Sequence, residues 1–577
     1  MILSADIKRL PRYFLPENFK LSTWPHLEPY FIHLRDRKIE SRANLIQWLK
    51  DMSELEAAIS EDACWRQIKM TCDTENKELE EAFHFFVMEI QPHMQPYMDL
   101  LNRKLVGHPL AASLEKEEPE YHTYLRTVRK NIELFREENI ALQSDLSILQ
   151  QQYGQITGRM TITHNEQEYT MQQAAKFLLS KDRNEREEIY RKIQERRLLD
   201  KGNLDALFDK LIEKRDLVAK NAGFDNFRDY KFKELGRFDY TKEDCYLFHE
   251  GVKQHVIPLI NTLYNHKRAV LDVDTLRPWD LEAEPQGIPT LKPFTDSEDL
   301  LEKSIACLNK LHPFFGDCFK TMKKMGHFDL ESRKGKAPGG YNCPLAESGA
   351  PFIFMNAVGQ MDDVTTMVHE GGHAVHSFLS HNLDLNGFKE YPMEIAEVAS
   401  MTMELFTMDH WDVFFDDAES LRRAKIHQLE RAITIFPWIA MVDKFQHWLY
   451  ENPQHNRNER AVAWMDLLEE FKISSLDTSN LEMYRRSGWQ RQLHLFEVPF
   501  YYIEYGIAQL GAIGMWMQYK KDPEAAIGKY IHTLQLGGTR TLSQLYEAAG
   551  IKFDLSPEYI RELTDFVAKE INNLLYN

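Results

Sequence analysis

His369 and His373 stand four residues apart, with Glu370 directly after the first, in the stretch M-V-H-E-G-G-H-A-V-H that begins at Met367. On a helix, residues four apart lie one turn above each other, with Cβ atoms about 5–6 Å apart. Two imidazoles at that spacing can bind one metal ion at about 2.0–2.1 Å. Glu370 points in another direction around the helix, so it can act on a water at the open side of the metal without binding the metal. This H-E-x-x-H arrangement is typical of zinc hydrolases.

The chain has 22 histidines and many glutamates, so this motif could occur by chance. Its surroundings nevertheless favour a metal site. The apolar run Pro351–Val358 predicts a strand, and Asp362 or Asp363 then offers an N-cap for a helix with regularly spaced apolar residues. Gly371 and Gly372 cost about 1 kcal/mol each inside a helix relative to alanine. That cost predicts another backbone packed closely against them.

A third ligand is expected because catalytic zinc normally binds three protein side chains and leaves one position for water. The stretch Tyr391–Leu405 offers Glu394, Glu397 and Glu404, which share one helix face, so periodicity does not choose among them. A solvated acidic stripe is the alternative, but the helix is apolar nearly all round, and buried carboxylates need partners. His376 also lies on the ligand face, and we interpret it as a hydrogen-bonded or core residue rather than a third imidazole ligand.

Length and composition restrict the class of protein. A chain of 577 residues predicts two or more lobes, and 43% hydrophobic with 28% charged residues is typical of a soluble protein. No apolar run approaches the roughly 18 residues of a membrane span, and the N-terminal stretch does not resemble a signal peptide. The net charge of −19 argues against nucleic acid as a partner. Six scattered cysteines without a C-x-x-C pair predict reduced thiols in a cytoplasmic protein.

Three further stretches give predictions of local structure. Apolar residues at spacings of three, four and seven predict one long helix over Pro119–Tyr153. Short alternation predicts a β-hairpin around Asn165 within Thr157–Tyr169. The aromatic and polar stretch Gly223–Tyr240 is interpreted as a connector packed by its rings.

A small sheet is predicted beside the H-E-x-x-H helix. Short apolar pieces in Phe328–Leu345 could pair with Pro351–Val358. An unpaired strand edge there could hold an extended peptide by main-chain hydrogen bonds. Phe354 and Asn356 on this strand are the candidate substrate-binding residues.

The segment Gly488–Trp516 predicts a loop through Pro499 that continues into an aromatic helix. Most tyrosines in such a helix belong to a core. Hydrolysis of an amide, however, creates an oxyanion, and a histidine or tyrosine donor can stabilise it by about 3–4 kcal/mol.

The motif at His369 and His373, followed by A-E-V-A-S-M at 396–401, resembles the thimet oligopeptidase family of zinc peptidases, closest to the oligoendopeptidase F branch. The resemblance is strong over 204–551 and weak before residue 150. It implies that Glu397 completes the shell of one Zn²⁺ ion and that Glu404 orients a ligand histidine. Gly371 departs from the family, which more often has a bulky apolar residue there.

The same resemblance implies roles in the aromatic segment. His494 would contact the substrate backbone, and Tyr505 and Tyr502 would donate to the tetrahedral intermediate. Tyr505 is the stronger choice, whereas Tyr501 and Tyr502 remain alternatives because the spacing from His494 is one residue shorter than in thimet oligopeptidase itself.

The resemblance implies a mainly α-helical, two-lobed clamshell with a deep central channel and a small β-sheet beside the zinc helix. We expect residues 1–203 to form a helical lobe that covers the channel and residues 204–577 to form the catalytic domain. The expected activity is that of a zinc metalloendopeptidase that cuts internal bonds of short, unfolded oligopeptides, with Glu370 as general base. The oligomeric state, monomer or dimer, is left open.

Two alternatives compete with this function. An exopeptidase of the dipeptidyl carboxypeptidase type would need a fixed cation for the substrate's terminal carboxylate, and no Arg or Lys can be assigned that role from the sequence. A catalytically silent helical peptide-binding protein is the second, and the intact Glu370 argues against it.

Overall fold

Helices make up most of the chain in the computed structural model, which describes residues 3–333 and 335–576. This confirms the predicted mainly α fold. The helices of the first two hundred residues are α1 Trp24–Asp36, α2 Arg42–Cys72, α3 Lys77–Phe85, α4 Gln91–Val106, α5 Pro109–Glu117, α6 Pro119–Leu134, α7 Glu138–Gly158, α8 Met171–Ala175 and α9 Arg183–Leu199.

The helices of the remaining chain are given in two sets, up to α18 and after it. The first set is α10 Lys201–Asn221, α11 Phe227–Glu234, α12 Lys242–Gly251, α13 Ile257–Val270, α14 Ser297–Leu311, α15 Pro313–Met325, α16 Met361–Ser380, α17 Asn386–Lys389 and α18 Met393–Thr407. The second set is α19 Ala418–Thr434, α20 Phe436–Glu451, α21 Arg457–Glu470, α22 Glu482–Arg485, α23 Leu493–Glu497, α24 Tyr502–Tyr519, α25 Pro523–Gln535, α26 Leu542–Ala548 and α27 Pro557–Tyr576.

The predicted hairpin is confirmed. Strands β1 (Thr161–His164) and β2 (Gln167–Thr170) pair in antiparallel register. Asn165 and Glu166 between them have φ values of 48° and 63°, as the tight turns preferred in two-residue hairpins require.

The predicted small sheet is also confirmed. Strands β3 (Phe328–Glu331), β4 (Tyr341–Cys343) and β5 (Phe352–Ala357) are arranged in the order β3-β5-β4. Strand β5 is paired on both sides, parallel to β3 and antiparallel to β4. The strand of Phe354 and Asn356 is therefore the central one, and β3 and β4 lie at the two edges of the sheet.

The prediction of one long helix over Pro119–Tyr153 is wrong, because the chain turns between α6 and α7 and forms two helices. Phe135 takes an extended conformation, with ψ 128°, although no glycine or proline marks the position. The Arg136 guanidinium stabilises the turn by donating to four backbone carbonyls, those of Glu133, Phe135, Asn221 and Ala222. Two of these carbonyls belong to the distant helix α10 and its end, so a local pattern could not reveal the break.

Helices α16 and α18 pack closely, and this crossing fixes the site described below. A Cβ built on Gly372 would lie 2.5 Å from the carbonyl oxygen of Ala399 and 2.5 Å from Cα of Ser400. The close backbone approach expected at the glycine pair is thus present at Gly372. At Gly371 the neighbour is instead the ring of Phe319, at 3.1 Å from the built Cβ.

The start of α16 differs from the expected cap, Asp362 or Asp363, by two or three residues. Gln360 is the N-cap, and Asp363 occupies the third helical position of a capping box. The Asp363 carboxylate accepts 2.8 Å hydrogen bonds from the backbone N–H groups of Val358, Gly359 and Gln360. These bonds link the end of β5 to the first turn of the helix.

The chain has a large core that includes most of the second half and a smaller one between helices α1 to α6. Leu385 and Phe388 of the second half pack into the smaller core. All six cysteines are free thiols. Among the described residues, no helix combines the length and apolar character needed to cross a membrane.

Candidate active site

His369 and His373 of α16 and Glu397 of α18 bring three donor atoms to one point. Oε2 of Glu397 lies 3.3 Å from Nε2 of His369 and 3.7 Å from Nε2 of His373. The three donor atoms all lie within 4.8 Å of one another. Ligands that each lie about 2.0–2.1 Å from one tetrahedral ion are separated by about 3.3–3.5 Å, so the arrangement fits a zinc-type ion.

The other two glutamates on the same helix face have other hydrogen-bond partners. Glu394 accepts a 2.6 Å hydrogen bond from the hydroxyl of Tyr240. Glu404 faces the opposite side of the His369 ring, with Oε1 2.7 Å from Nδ1. Tertiary packing therefore selects Glu397 from the three, which the sequence periodicity could not do.

The contact with Glu404 fixes the orientation of His369. The Nδ1–H group donates a hydrogen bond to Glu404, so Nε2 is the ring nitrogen that faces Glu397 and the common point. Glu404 is held in turn by Gln428, whose Nε2 lies 2.7 Å from Oε2. Thr365 donates to the amide oxygen of Gln428 at 2.9 Å. Sequence reasoning missed Gln428, because nothing in its local pattern separates it from other helical glutamines.

Glu370 is buried next to this point, with 6% of its surface exposed. Its Oε2 has no hydrogen-bond partner among the described residues. Burial, together with the charges of Glu397 and Glu404, raises the pKa of Glu370 to about 7, although His369 opposes the shift. A carboxylate with a pKa near neutral is suited to take up and release a proton at physiological pH.

The electrostatics of the cluster favour a cation. Burial alone would raise the pKa of Glu397, but His373, His369 and Tyr501 lower it to about 2. Burial lowers the pKa of His373 to about 4, so this imidazole is neutral and able to bind a metal. Burial also opposes charge on His369, but Glu397 and Glu404 raise its pKa well above the usual value.

Tyr501, rather than Tyr502, contacts the predicted ligands. Its hydroxyl donates to Oε1 of Glu397 at 2.6 Å. Burial and the Glu397 charge raise the pKa of Tyr501, so the hydroxyl keeps its proton. Tyr502 lies beside Trp438 and Arg491 instead, and its ring packs edge-on against His494 with centroids 4.8 Å apart.

His494 and Tyr505 form a pair of donors. Trp438 donates to the amide oxygen of Gln492 at 2.7 Å, so the amide nitrogen of Gln492 faces Nδ1 of His494, also at 2.7 Å. Nδ1 must therefore accept, and Nε2 carries the proton. Burial lowers the pKa of His494 to about 4, so the ring is neutral. Nε2 lies 3.3 Å from the hydroxyl of Tyr505.

The loop before these tyrosines is held by residues that the sequence did not single out. Phe500 has a φ of 65°, a conformation that is rare for a bulky side chain. Its carbonyl accepts from Arg237, and its N–H donates to Gln446 at 2.5 Å. Arg237 also pairs with Glu504 of α24 at 3.1 Å. Arg237 lies in the stretch interpreted as a connector, which contains helix α11.

The remaining candidate residues lie outside the cluster of donor atoms. His376 is fully buried, stacks on Tyr391 with ring centroids 3.5 Å apart, and has no hydrogen-bond partner among the described residues. It is a core residue rather than a hydrogen-bonded one. Phe354 is fully buried against Tyr341, so its side chain is not accessible to a peptide. Asn356 donates to the carbonyls of Ala337 and Gly339, both at 2.9 Å, and stabilises that turn.

Comparisons with known proteins relate the sequence to a family of peptidases. The sequence matches the model of Peptidase family M3 over residues 177–565 and that of the Peptidase M3 N-terminal domain over residues 14–135. The oligoendopeptidase F homolog of Borreliella burgdorferi is 24% identical over 380 residues, 63% of this chain and 61% of that protein. The oligopeptidase PepF of Bacillus subtilis is 23% identical over 325 residues, 55% of this chain and 47% of that protein.

A solved structure is similar over nearly the whole chain. The structure of PZ peptidase A with an inhibitor superposes with a TM-score of 0.90 at 25% sequence identity, covering 96% of this chain and 99% of that one. The alignments to the two curated relatives span about half to three fifths of those proteins' own lengths.

Proposed function

The chain belongs to peptidase family M3, as the resemblance in its motifs implied, and on that premise we propose that it is a zinc endopeptidase of short, unfolded oligopeptides. The observation that carries the proposal is the convergence of His369, His373 and Glu397 on one point beside Glu370, whose Oε2 has no hydrogen-bond partner in the described part of the chain. The relatives named as oligoendopeptidases support the substrate class. The cytoplasmic location stays a prediction.

We assign one Zn²⁺ ion to His369, His373 and Glu397. Neutral imidazoles and a buried carboxylate are the donor types that catalytic zinc prefers. When bound, the ion supplies Lewis acidity to the attacking water and to the scissile carbonyl. Glu404, through His369 Nδ1, holds the first imidazole in the orientation that binding needs.

Glu370 is the proposed general base. Its free carboxylate oxygen takes a proton from the attacking water and later passes it to the leaving amine. Tyr505 and His494 are the proposed donors to the oxyanion. The fixed tautomer of His494, with its proton on Nε2, supports this role, because a ring nitrogen can stabilise a developing negative oxygen only when it carries a proton.

The edge strand β4 is the proposed docking site for the substrate backbone. Ile353 of β5 donates its N–H to His327, on the β3 side, so Phe352 and Phe354 direct their backbone groups to Cys343 and Tyr341 of β4. In an antiparallel pair the backbone groups alternate in direction, so the N–H and C=O of Asn342 point outward. An extended peptide can pair with that edge. The Asn342 side chain contacts the backbone of Glu370 at 3.3 Å, so such a peptide would lie beside the base.

A cavity supports the predicted channel and the division into a cover and a catalytic domain. It encloses about 290 Å³. Its lining includes Tyr153, Met171 and Arg197, from the predicted cover of residues 1–203, and Asn356, Gly339 and Leu493, from the predicted catalytic domain. Leu493 directly precedes His494, one of the proposed oxyanion donors.

The test compares Glu370→Gln with Glu394→Gln on peptides blocked at both ends. Glu370→Gln should reduce kcat by about 10²–10⁴-fold while zinc content stays the same, because the base acts on water and does not bind the ion. Glu394 is an equally buried carboxylate that binds Tyr240, so its glutamine variant is the matched control and should keep its activity.

Three outcomes would contradict the proposal. Cleavage at unchanged rate in Glu370→Gln would remove the assigned base. Failure of the unaltered, zinc-loaded chain to cut blocked peptides while cutting free-ended ones would indicate an exopeptidase. Peptide binding without any turnover would indicate a silent binding protein.

A further inference from the structure

A second cluster of side chains that can bind a metal ion lies between helices α12 and α20, outside the site described above. Cys245 and His249 are one turn apart on α12, and Asp443 and His447 are one turn apart on α20. The two pairs face each other, so four side chains converge from two helices. The same four-residue spacing on a helix brings His369 and His373 together.

The distances in this cluster match those between ligands of one ion. Donor atoms of Cys245, Asp443 and His447 all lie within 4.8 Å of one another. Oδ2 of Asp443 lies 3.2 Å from Nε2 of His447 and 2.9 Å from Nε2 of His249. Ligands of one tetrahedral zinc ion, with bonds of about 2.0–2.3 Å, are about 3.3–3.7 Å apart.

Several polar atoms of the cluster lack hydrogen bonds within the described chain. Both ring nitrogens of His447 are buried without a hydrogen-bond partner, and so is Oδ1 of Asp443. Nε2 of His447 lies within hydrogen-bonding distance of the Asp443 carboxylate, but the geometry of the two groups does not form a hydrogen bond. Buried polar atoms are nearly always satisfied in native proteins, so this set requires an explanation.

We propose that Cys245, Asp443 and His447 form a second metal site for a divalent transition-metal ion, best matched by Zn²⁺, and that His249 positions Asp443. A mixed set of thiolate, carboxylate and imidazole donors suits zinc and its neighbours rather than Mg²⁺ or Ca²⁺. Nε2 of His249 donates to the Asp443 carboxylate, as partners of ligating carboxylates commonly do. The Cys245 thiol, which contacts the carbonyl of Thr241 at 3.4 Å, would lose its proton on binding.

The burial of the cluster strengthens the case for an ion. Cys245 and Asp443 are fully buried, and the two histidines are at most 3% exposed. A carboxylate in such a place needs a compensating positive charge. The nearby permanent cations are already paired, since Arg237 binds Glu504 and Lys444 binds Glu470. A metal ion would supply the charge and give one ring nitrogen of His447 a partner at the same time.

The position of the cluster gives the ion a structural role. It would join α12 to α20 at a point next to Gln446, which accepts the N–H of Phe500. The His447 ring also packs against Phe500, with centroids 5.5 Å apart. Phe500 directly precedes Tyr501, so the second ion would stabilise the loop that carries the active-site tyrosines without contacting the substrate.

The experiment uses Co²⁺ in place of zinc. The full chain is produced in metal-depleted medium supplemented with Co²⁺, and its cobalt content and near-ultraviolet spectrum are measured. We expect two cobalt ions per chain and a thiolate-to-cobalt charge-transfer band. The site of His369, His373 and Glu397 contains no sulfur, so it cannot produce that band.

Two variants identify the cysteine that produces the charge-transfer band. Cys245→Ser should bind one cobalt ion and lose the band. Cys307→Ser is the matched control, because Cys307 is also fully buried and also contacts a backbone carbonyl, that of Thr407. It should bind two ions and keep the band. If Cys245→Ser does not fold, His447→Gln replaces it, and it should likewise lose one ion.

The cobalt content and the spectrum of the unaltered chain test the proposal even if both variants fail to fold. One cobalt ion per chain without a thiolate band would overturn the proposal. A band that persists in Cys245→Ser would also overturn it, because another cysteine would then be the ligand.

Discussion

The hydroxyl of Tyr501 donates a 2.6 Å hydrogen bond to Oε1 of Glu397, the carboxylate whose other oxygen lies 3.3 Å from His369 Nε2. One tyrosine of the α24 region is thus tied to the third predicted metal ligand, more than a hundred residues earlier in the chain. Ser400 donates to Oε2 of the same carboxylate at 3.0 Å. These contacts hold Glu397 in the orientation that the metal site requires.

Replacing Tyr501 with phenylalanine should weaken zinc binding by about 10–100-fold, because the hydrogen bond that orients the Glu397 carboxylate is lost. The dissociation constant is measured by competition with a chromogenic chelator. Tyr502→Phe is the matched control, since its ring lies one residue away but contacts Trp438 and Arg491. Equal zinc affinities in the two variants would show that the Tyr501 contact does not support the site.

Tyr505→Phe should lower kcat by about 10²–10³-fold and leave KM and zinc content unchanged. The reason is that its hydroxyl would bind the oxyanion, which exists only in the transition state and the intermediate. Burial, together with Glu397, raises the pKa of Tyr505 well above its usual value, so the hydroxyl remains a donor. A variant that raises KM alone would assign Tyr505 to substrate binding instead.

Gly372→Ala should destabilise the chain by roughly 1–3 kcal/mol and reduce its zinc content. The added methyl group would meet the backbone of Ala399 and Ser400 at 2.5 Å, and moving α18 displaces Glu397. Gly528→Ala in α25 is the control, because nothing lies within 4 Å of its built Cβ. We expect that change to stabilise the helix by roughly 0.5–1 kcal/mol. Denaturant unfolding and metal analysis measure both effects, and a fully metallated, equally stable Gly372→Ala would disprove the close crossing.

The contribution of Glu56 to the stability of the chain should fall as pH rises from about 4.5 to about 8. Burial, and then the charge of Glu390, raise the pKa of Glu56 from 4.5 to about 8. Tyr124 lies next to both carboxyl groups, and Lys130 acts on Glu390 from α6. In this window the folded chain holds a proton that the unfolded chain has released, so each rise in pH favours unfolding.

Glu56→Gln removes that proton equilibrium. Its Tm should equal that of the unaltered chain near pH 4.5 and exceed it by roughly 1–3 °C at pH 8. Glu137→Gln, at an exposed position, should change neither value. A Tm difference that does not depend on pH would rule out Glu56 as the source.

The sequence alone determined the features that depend on neighbours along the chain. The spacing of His369 and His373 places both imidazoles on one helix face wherever that helix lies. The hairpin at Asn165 follows from short alternation on either side of a residue that tolerates positive φ, and the strand of Pro351–Val358 from a short apolar run. These patterns operate over a few residues, so local rules describe them.

Tertiary structure alone decided which of several equivalent residues meet. Glu394, Glu397 and Glu404 share one face, and only the crossing of α16 and α18 at Gly372 brings Glu397 to the histidines. Likewise, Tyr501 rather than Tyr502 reaches Glu397 because Arg237 and Gln446, far away in sequence, hold Phe500 in a left-handed conformation. The central position of β5 depends on its pairing with β3 and β4. Such outcomes depend on contacts between distant segments, whose relative placement is set by packing and not by any local period.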